Sequence, residues 1–285
     1  MIRIAEMAAR DGLQNEARTV PTDVKVAFIN ALSRTGVQEI EASAFVATRA
    51  IPQLADASEV FAAIDRVPGV VYSALVPNER GLERALRARV GKVSVFTAAS
   101  ETFNRKNINA GIDESFVRFV PVVEGARRAG LPVRGYISTA FYCPYEGAIA
   151  AEATVAVARR LIELGVDEVS VGDTIGRAVP AEVSLLLDRL LPIVPAAHLA
   201  MHFHDTYRNA IENVIASYRR GITIFDSSAG GIGGCPYAPG ASGNVATEAV
   251  VRALRAEGAE VPADLEALAR ARTVIGEALG RPLAG

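Results

Sequence analysis

The run from 151 to 173, AEATVAVARRLIELGVDEVSVGD, carries the unit from which the fold is built. Val155, Ala158, Leu161 and Ile162 recur three or four residues apart, which predicts a helix with one apolar stripe that needs a surface to cover. Gly165 comes next, and a residue tolerant of positive φ ends a helix cheaply there. A short run rich in valine then predicts a strand over 168–171, with polar residues just beyond its end.

Outward from this unit the pattern repeats. Leu54, Ala57, Val60, Phe61 and Ile64 form another helical stripe, and Gly36, Gly130 and Gly221 stand, like Gly165, just after a helix pattern and before a strand pattern. Strands are expected at 2–5, 37–41, 70–76, 92–96, 133–139, 168–171, 198–204 and 223–226. Eight parallel strands in about 250 residues favour a (β/α)8 TIM barrel over a doubly wound sheet. No GxGxxG follows any of these strands, which removes the usual dinucleotide fingerprint. The tail, 263–279, has apolar residues at Leu265, Leu268, Val274, Ile275 and Leu279 and predicts an extra C-terminal helix, packed on the barrel or on a partner subunit. With no linker or low-complexity tract, residues 1–285 are expected to form a single catalytic barrel domain.

Composition narrows the partners. The chain has 285 residues, 50% hydrophobic and 22% charged, which excludes disordered and collagenous classes. Thirty basic and 32 acidic side chains leave a net charge of −2, too little to draw in a nucleic-acid backbone or an anionic membrane surface. Two cysteines cannot staple a chain this long, and the start MIRIAEMAAR lacks the apolar core of a signal peptide, so a cytoplasmic protein is expected. No apolar stretch approaches the roughly 20 residues that span a bilayer.

In a barrel of this kind the chemistry lies at the carboxyl ends of the strands, and five polar clusters fall there. Arg10-Asp11 opens a loop that also holds Gln14, where the plain alternative is a solvated ion pair. Glu41 ends the second strand, where it could simply pair with an arginine on the rim. In Met201-His202-Phe203-His204-Asp205 the two imidazoles are two residues apart, so both side chains leave the same face of the seventh strand. The segment 227–244 is rich in glycine, carries Cys235 and ends at Asn244, a composition suited to a mobile loop closing over a ligand. Ser170 and Asp173 end the sixth strand, with Asp173 equally able to start the next turn.

Together Asp11, His202, His204 and Asn244 offer carboxylate, amide and imidazole donors, a mixed oxygen and nitrogen set that suits Mg2+ or Mn2+. The lack of a cysteine pair argues against a structural zinc. A divalent cation can chelate a substrate hydroxyl beside a carbonyl, and Arg10 could stabilise an oxyanion with its fixed fork of donors. That combination suits making or breaking a carbon–carbon bond next to a carbonyl.

The motifs RDGLQNE (10–16), NIN (107–109), RGYIS (134–138), CPYEG (143–147), GDTIG (172–176), HFHDT (202–206) and GGCPYAPGASGNVATE (233–248) cover nearly the whole chain. Through them it resembles the 3-hydroxy-3-methylglutaryl-CoA lyase family of metal-dependent lyases and synthases on the TIM barrel. The resemblance implies metal ligands at Asp11, His202, His204 and Asn244, an enolate-stabilising Arg10, a loop cysteine at Cys235 and supporting acids at Glu41, Asp173 and Glu248. It implies an acyl-CoA substrate, one divalent cation, a homodimer and retro-Claisen cleavage of the 3-hydroxyacyl thioester to acetyl-CoA and acetoacetate. The acceptor of the first proton is left open among Asp11, a histidine and a metal-bound water. Ala44 stands where the family usually has serine, so a related 3-hydroxy-3-alkylacyl-CoA or a citramalyl-CoA-type thioester is an alternative substrate. An acetyl-CoA-condensing synthase is the other alternative, but the GERAGN-like stretch of such relatives is replaced here by Gly-Cys-Pro-Tyr.

Overall fold

The computed structural model describes residues 1–47, 49, 51–233 and 243–283. The unit at 151–173 folds as its pattern requires. A helix spans Ala151–Leu164, Gly165 adopts φ +97°, and its N–H bonds back to the carbonyls of Leu161 and Ile162. Leu161 from the buried stripe packs directly on Gly135 of a neighbouring strand, where an added Cβ would lie 2.9 Å from its Cδ1, so the glycine lets helix and sheet approach closely.

Among the described residues, eight parallel strands close into a barrel. They are β1 (Arg3–Glu6), β2 (Glu39–Ala44), β3 (Val71–Leu75), β4 (Lys92–Ala98), β5 (Val133–Ser138), β6 (Glu168–Asp173), β7 (Leu199–Phe203) and β8 (Ile224–Ser227). All eight expected strands are found, most of them displaced by a residue or two at their ends, and the barrel closes where β8 pairs with β1. The expected tail helix is Leu265–Leu279; it packs on the barrel's own helix Thr22–Leu32, burying Leu268, Ala271 and Ile275. Burying each of the two large side chains stabilises by roughly 1.5–3 kcal/mol. Among the described residues no helix is long and apolar enough to cross a membrane.

Alternation along the strands divides the side chains. Val93, Val95, Val169, Val171, Met201 and Phe203 face the helices and form the main apolar core, all of them at most 1% exposed. The axis-facing set is unusually polar for a barrel, whose interior is ordinarily filled by branched aliphatics. Near the amino-terminal end of the strands Lys92 sits between Glu39 and Glu168, at 2.9 and 2.8 Å, and Arg3 pairs with the same Glu168. Arg134, with no exposed surface, lies 2.6 Å from Glu168 and 2.8 Å from Asp226. Charges buried this deeply require partners of opposite sign, and each has one.

Candidate active site

The carboxyl ends of the strands bring the polar clusters together. After β1 the chain makes a single π turn, Ala8–Gly12, with the Gly12 N–H bonded to the Met7 carbonyl, and this wider local winding carries Arg10 and Asp11 to the axis. Gly12 is required there, because a Cβ would lie 2.6 Å from Ile232. His202 and His204 leave the end of β7 on one face, as their spacing demands, with ring centroids 5.3 Å apart. One donor atom from each of Asp11, His202 and His204 lies within 4.8 Å of the others. Asn244 joins them because residues 243–245 are stitched to the end of β7: Asp205 N–H donates to Gly243 and Val245 N–H to Phe203. Its Nδ2 donates to Asp11 Oδ2 at 2.8 Å. Gly233, at φ +114°, passes so close that a Cβ would stand 2.5 Å from that same Nδ2.

Arg10 is clamped. Its Nε donates to Glu41 Oε2 at 2.5 Å and its Nη1 to Asp11 Oδ1 at 2.6 Å, while Glu41 Oε1 accepts the Tyr136 hydroxyl at 3.2 Å. The guanidinium also lies over the Tyr136 ring, 5.7 Å from its centroid. Burial alone would raise the Asp11 carboxyl; the Arg10 guanidinium overrides it and holds Asp11 well below the usual carboxylate range. Burial lowers His204 to about 4, keeping that imidazole neutral, the form in which it can act as a ligand.

The donor set fits a divalent cation. Asn244 Oδ1 and His204 Nδ1 are buried with no hydrogen-bond partner among the described residues, beside an ionised carboxylate, and buried polar atoms rarely go unpaired. Carboxylate oxygen, amide oxygen and imidazole nitrogen suit a hard or borderline ion. The cluster opens on a cavity of about 220 Å³ whose wall mixes Arg10, Gln14 and Ser170 with Val46, Ile51, Leu75, Phe96 and Phe103. A second cavity of about 830 Å³ adjoins it through Gln14, Asn15, Val46, Ile51, Phe96 and Asn107, and is also lined by Lys106 and Arg118.

Two residues of the expected set stand apart from this mouth. The Asp173 carboxylate accepts the backbone N–H groups of Arg177 and Ala178 at 3.2 and 2.9 Å, so it takes up the turn-forming role that its position before Thr174 left open; burial pushes it up to about 6. Glu248 stands in the first turn of the helix Thr247–Ala256 and accepts the Gly230 N–H at 3.0 Å, with Arg272 at 3.6 Å, and so braces the approach to the glycine-rich segment. Cys235 lies outside the described residues.

Four buried residues escaped the sequence reading. Arg134 and Tyr136 share the inward face of β5, a period-two signal legible in RGYIS. Asp226 closes the last expected strand and proves to neighbour His202 in register. Glu6 ends β1, and its carboxyl accepts the N–H groups of Ala8 and Ala229 at 2.9 Å and the Thr247 hydroxyl at 2.7 Å, tying the π turn to the segment after β8. Burial pushes Glu6 up to about 7 despite these donors. An acid raised in the folded state binds more protons folded than unfolded, so this stability is complete below the ordinary value of 4.5 and is lost as pH rises through about 7. Glu6 should therefore cost the wild type roughly 3 kcal/mol across that window. Glu6→Gln should lack this component, and melting curves of both proteins from about pH 5 to about pH 8 check it. Parallel pH dependences in the two proteins would remove Glu6 as its source.

A closed parallel barrel with a carboxylate, two imidazoles and a clamped arginine at its carboxyl-terminal mouth defines a barrel enzyme with a metal-competent site for oxyanion chemistry. The HMGL-like family model matches residues 1–275. The chain belongs to the HMGL-like family. Hydroxymethylglutaryl-CoA lyase of Pseudomonas mevalonii is 49% identical over 279 residues, 98% of this chain and 93% of that protein. The crystal structure of Bacillus subtilis HMG-CoA lyase superposes with a TM-score of 0.98 at 47% identity, covering 100% of this chain and 95% of that one. An HMG-CoA lyase from Acinetobacter baumannii in complex with coenzyme A and 3-methylmalate superposes at 0.95 with 36% identity, covering 100% and 93%.

Proposed function

We propose that this protein cleaves 3-hydroxy-3-methylglutaryl-CoA to acetyl-CoA and acetoacetate with the help of one divalent cation, Mg2+ or Mn2+, held by Asp11, His202, His204 and Asn244. The observation that carries this reading is the juxtaposition of that donor cluster with Arg10, whose Nε and Nη1 are committed to Glu41 and Asp11, in the wall of one cavity. The cation, held by these four residues, would supply a Lewis acid that makes the substrate's hydroxyl more acidic. As the C3 hydroxyl loses its proton, the C2–C3 electron pair passes to C2; C3 becomes the ketone of acetoacetate and the thioester enolate remains. Arg10, stiffened by its two carboxylate partners, offers its other donors to that enolate oxygen without reorganising. Protonation of the enolate carbon then gives acetyl-CoA, a step assigned to Cys235.

The adjoining larger cavity suits the long coenzyme A arm, with Lys106 and Arg118 as cations for a phosphate-bearing ligand. A position packed behind Leu75 and Tyr136 of the smaller cavity's wall supports a second reading. Ala44 is buried against Leu54, Leu75 and Tyr136, an apolar surface without the hydroxyl a serine would place there. A related 3-hydroxy-3-alkylacyl-CoA or a citramalyl-CoA-type thioester would meet the same catalytic groups, and the relative bound to 3-methylmalate and coenzyme A favours including these in the test. The protein is further proposed to be cytoplasmic and to act as a homodimer.

Purified protein incubated with 3-hydroxy-3-methylglutaryl-CoA and Mg2+ or Mn2+ should release acetyl-CoA and acetoacetate in equal amounts, and a chelator should stop it. No cleavage by folded, metal-loaded protein would direct the search to the related thioesters.

A further inference from the structure

Asp226 and His202 are neighbours in register on β8 and β7. Asp226 Oδ2 lies 3.4 Å from His202 Nδ1 and accepts the Ser170 hydroxyl at 2.8 Å, while its Oδ1 lies 2.8 Å from Arg134 Nη2. Asp226 is 2% exposed and Arg134 not at all. A carboxylate this deep, with a guanidinium against it, is ionised, because Arg134, Lys92 and Arg3 would otherwise share only Glu39 and Glu168 as buried counter-charges. Arg134 also donates through Nη1 to the Tyr136 hydroxyl at 3.1 Å, that hydroxyl donates to Glu41, and Glu41 holds Arg10. The series begins at Asp11 and ends at His202, so it closes on the donor cluster from both sides.

We propose that Asp226, held by Arg134, is a positioning residue that fixes the tautomer and ring orientation of His202, with the proton on Nδ1 and Nε2 offered to the cation. The inference rests on the metal reading given above. An ionised carboxylate beside one ring nitrogen accepts a hydrogen bond from the N–H there, which leaves the lone pair on the other nitrogen and aims it away from the carboxylate. Neither Nδ1 has a hydrogen-bond partner of ordinary geometry among the described residues, but only that of His202 has a carboxylate oxygen as close as 3.4 Å; nothing equivalent steers His204. The two imidazoles therefore differ in kind: one is oriented by charge and the other by packing.

The test begins with wild-type protein without metal, labelled with nitrogen-15 histidine. The two-bond proton–nitrogen spectrum at neutral pH should show His202 as the Nδ1–H tautomer, opposite to the Nε2–H form that free imidazole side chains favour. In Asp226→Asn, His202 should move towards Nε2–H while the His204 signals stay put, and calorimetric Mn2+ affinity should fall by roughly 10- to 100-fold. Turnover should fall more than KM rises. Where Asp226→Asn does not fold because Arg134 has lost one of its two anions, the double variant Asp226→Asn with Arg134→Gln removes that mismatch; Glu168 retains Lys92 and Arg3. An Nε2–H tautomer in the wild type overturns the proposal, as does unchanged tautomer and Mn2+ affinity in either folded variant. Failure of the wild type itself to bind Mn2+ would sink the metal reading instead, and the metal-free spectrum would still decide the role of Asp226.

Discussion

Arg10→Gln should slow turnover by roughly 10³-fold while leaving Mn2+ affinity within a few-fold of the wild type. Glutamine keeps a single donor but loses the charge and the fork, and a developing enolate oxygen needs both. The structure adds a second expectation. Glu41 has no exposed surface, and without Arg10 its carboxylate retains, among the described residues, only the Tyr136 hydroxyl as a partner. A buried charge stripped of its counter-ion costs about 3–5 kcal/mol, so the melting temperature should drop as well, and kinetics belong at a temperature where the variant is folded. An unchanged rate would take Arg10 out of the mechanism. A large loss of Mn2+ affinity would instead recast it as the residue that orients Asp11.

His204→Ala should behave differently, losing metal affinity and turnover together, each by at least about 100-fold, because a donor to the ion is deleted rather than a group that supports one. His204 Nδ1 has no hydrogen-bond partner among the described residues, and the ring is 8% exposed, so removing it strands no charge. Folding stability in the absence of metal should therefore change much less than in Arg10→Gln. Calorimetry with Mn2+ reads the affinity directly. Intact affinity in this variant would show that the ligand set is wrong.

The barrel was legible because its two periods are. Apolar residues three or four apart mark the helices, four of them followed by Gly36, Gly130, Gly165 and Gly221, and all four glycines do take positive φ. Strand ends were less visible. β2 runs on to Ala44 through Ala-Ser-Ala, residues with little strand preference, across a register shift between Glu41 and Ser43 that no alternation pattern encodes. At the site, the parity of His202 and His204 was visible because both belong to one strand. Asp226 and Tyr136 were not, because their importance lies in which strands stand beside them, and that is a property of barrel closure rather than of local sequence. The π turn that delivers Arg10 and Asp11 likewise has no sequence signature of its own, since Gly12 is needed only once Ile232 arrives from the far end of the chain.

The ladder of ion pairs formed by Lys92, Glu39, Glu168 and Arg134 makes the barrel a vessel with a sealed floor. Among the described residues the two cavities join at the top in a doorway lined by Gln14 and Phe96. Under the proposed reaction, traffic through that doorway is last in, first out. On that reading the ion is seated before the thioester, and the coenzyme-bearing fragment, assigned above to the outer cavity, clears the threshold before the small keto acid beneath it follows. A reactant that blocks its own exit also keeps bulk water out for as long as it stays.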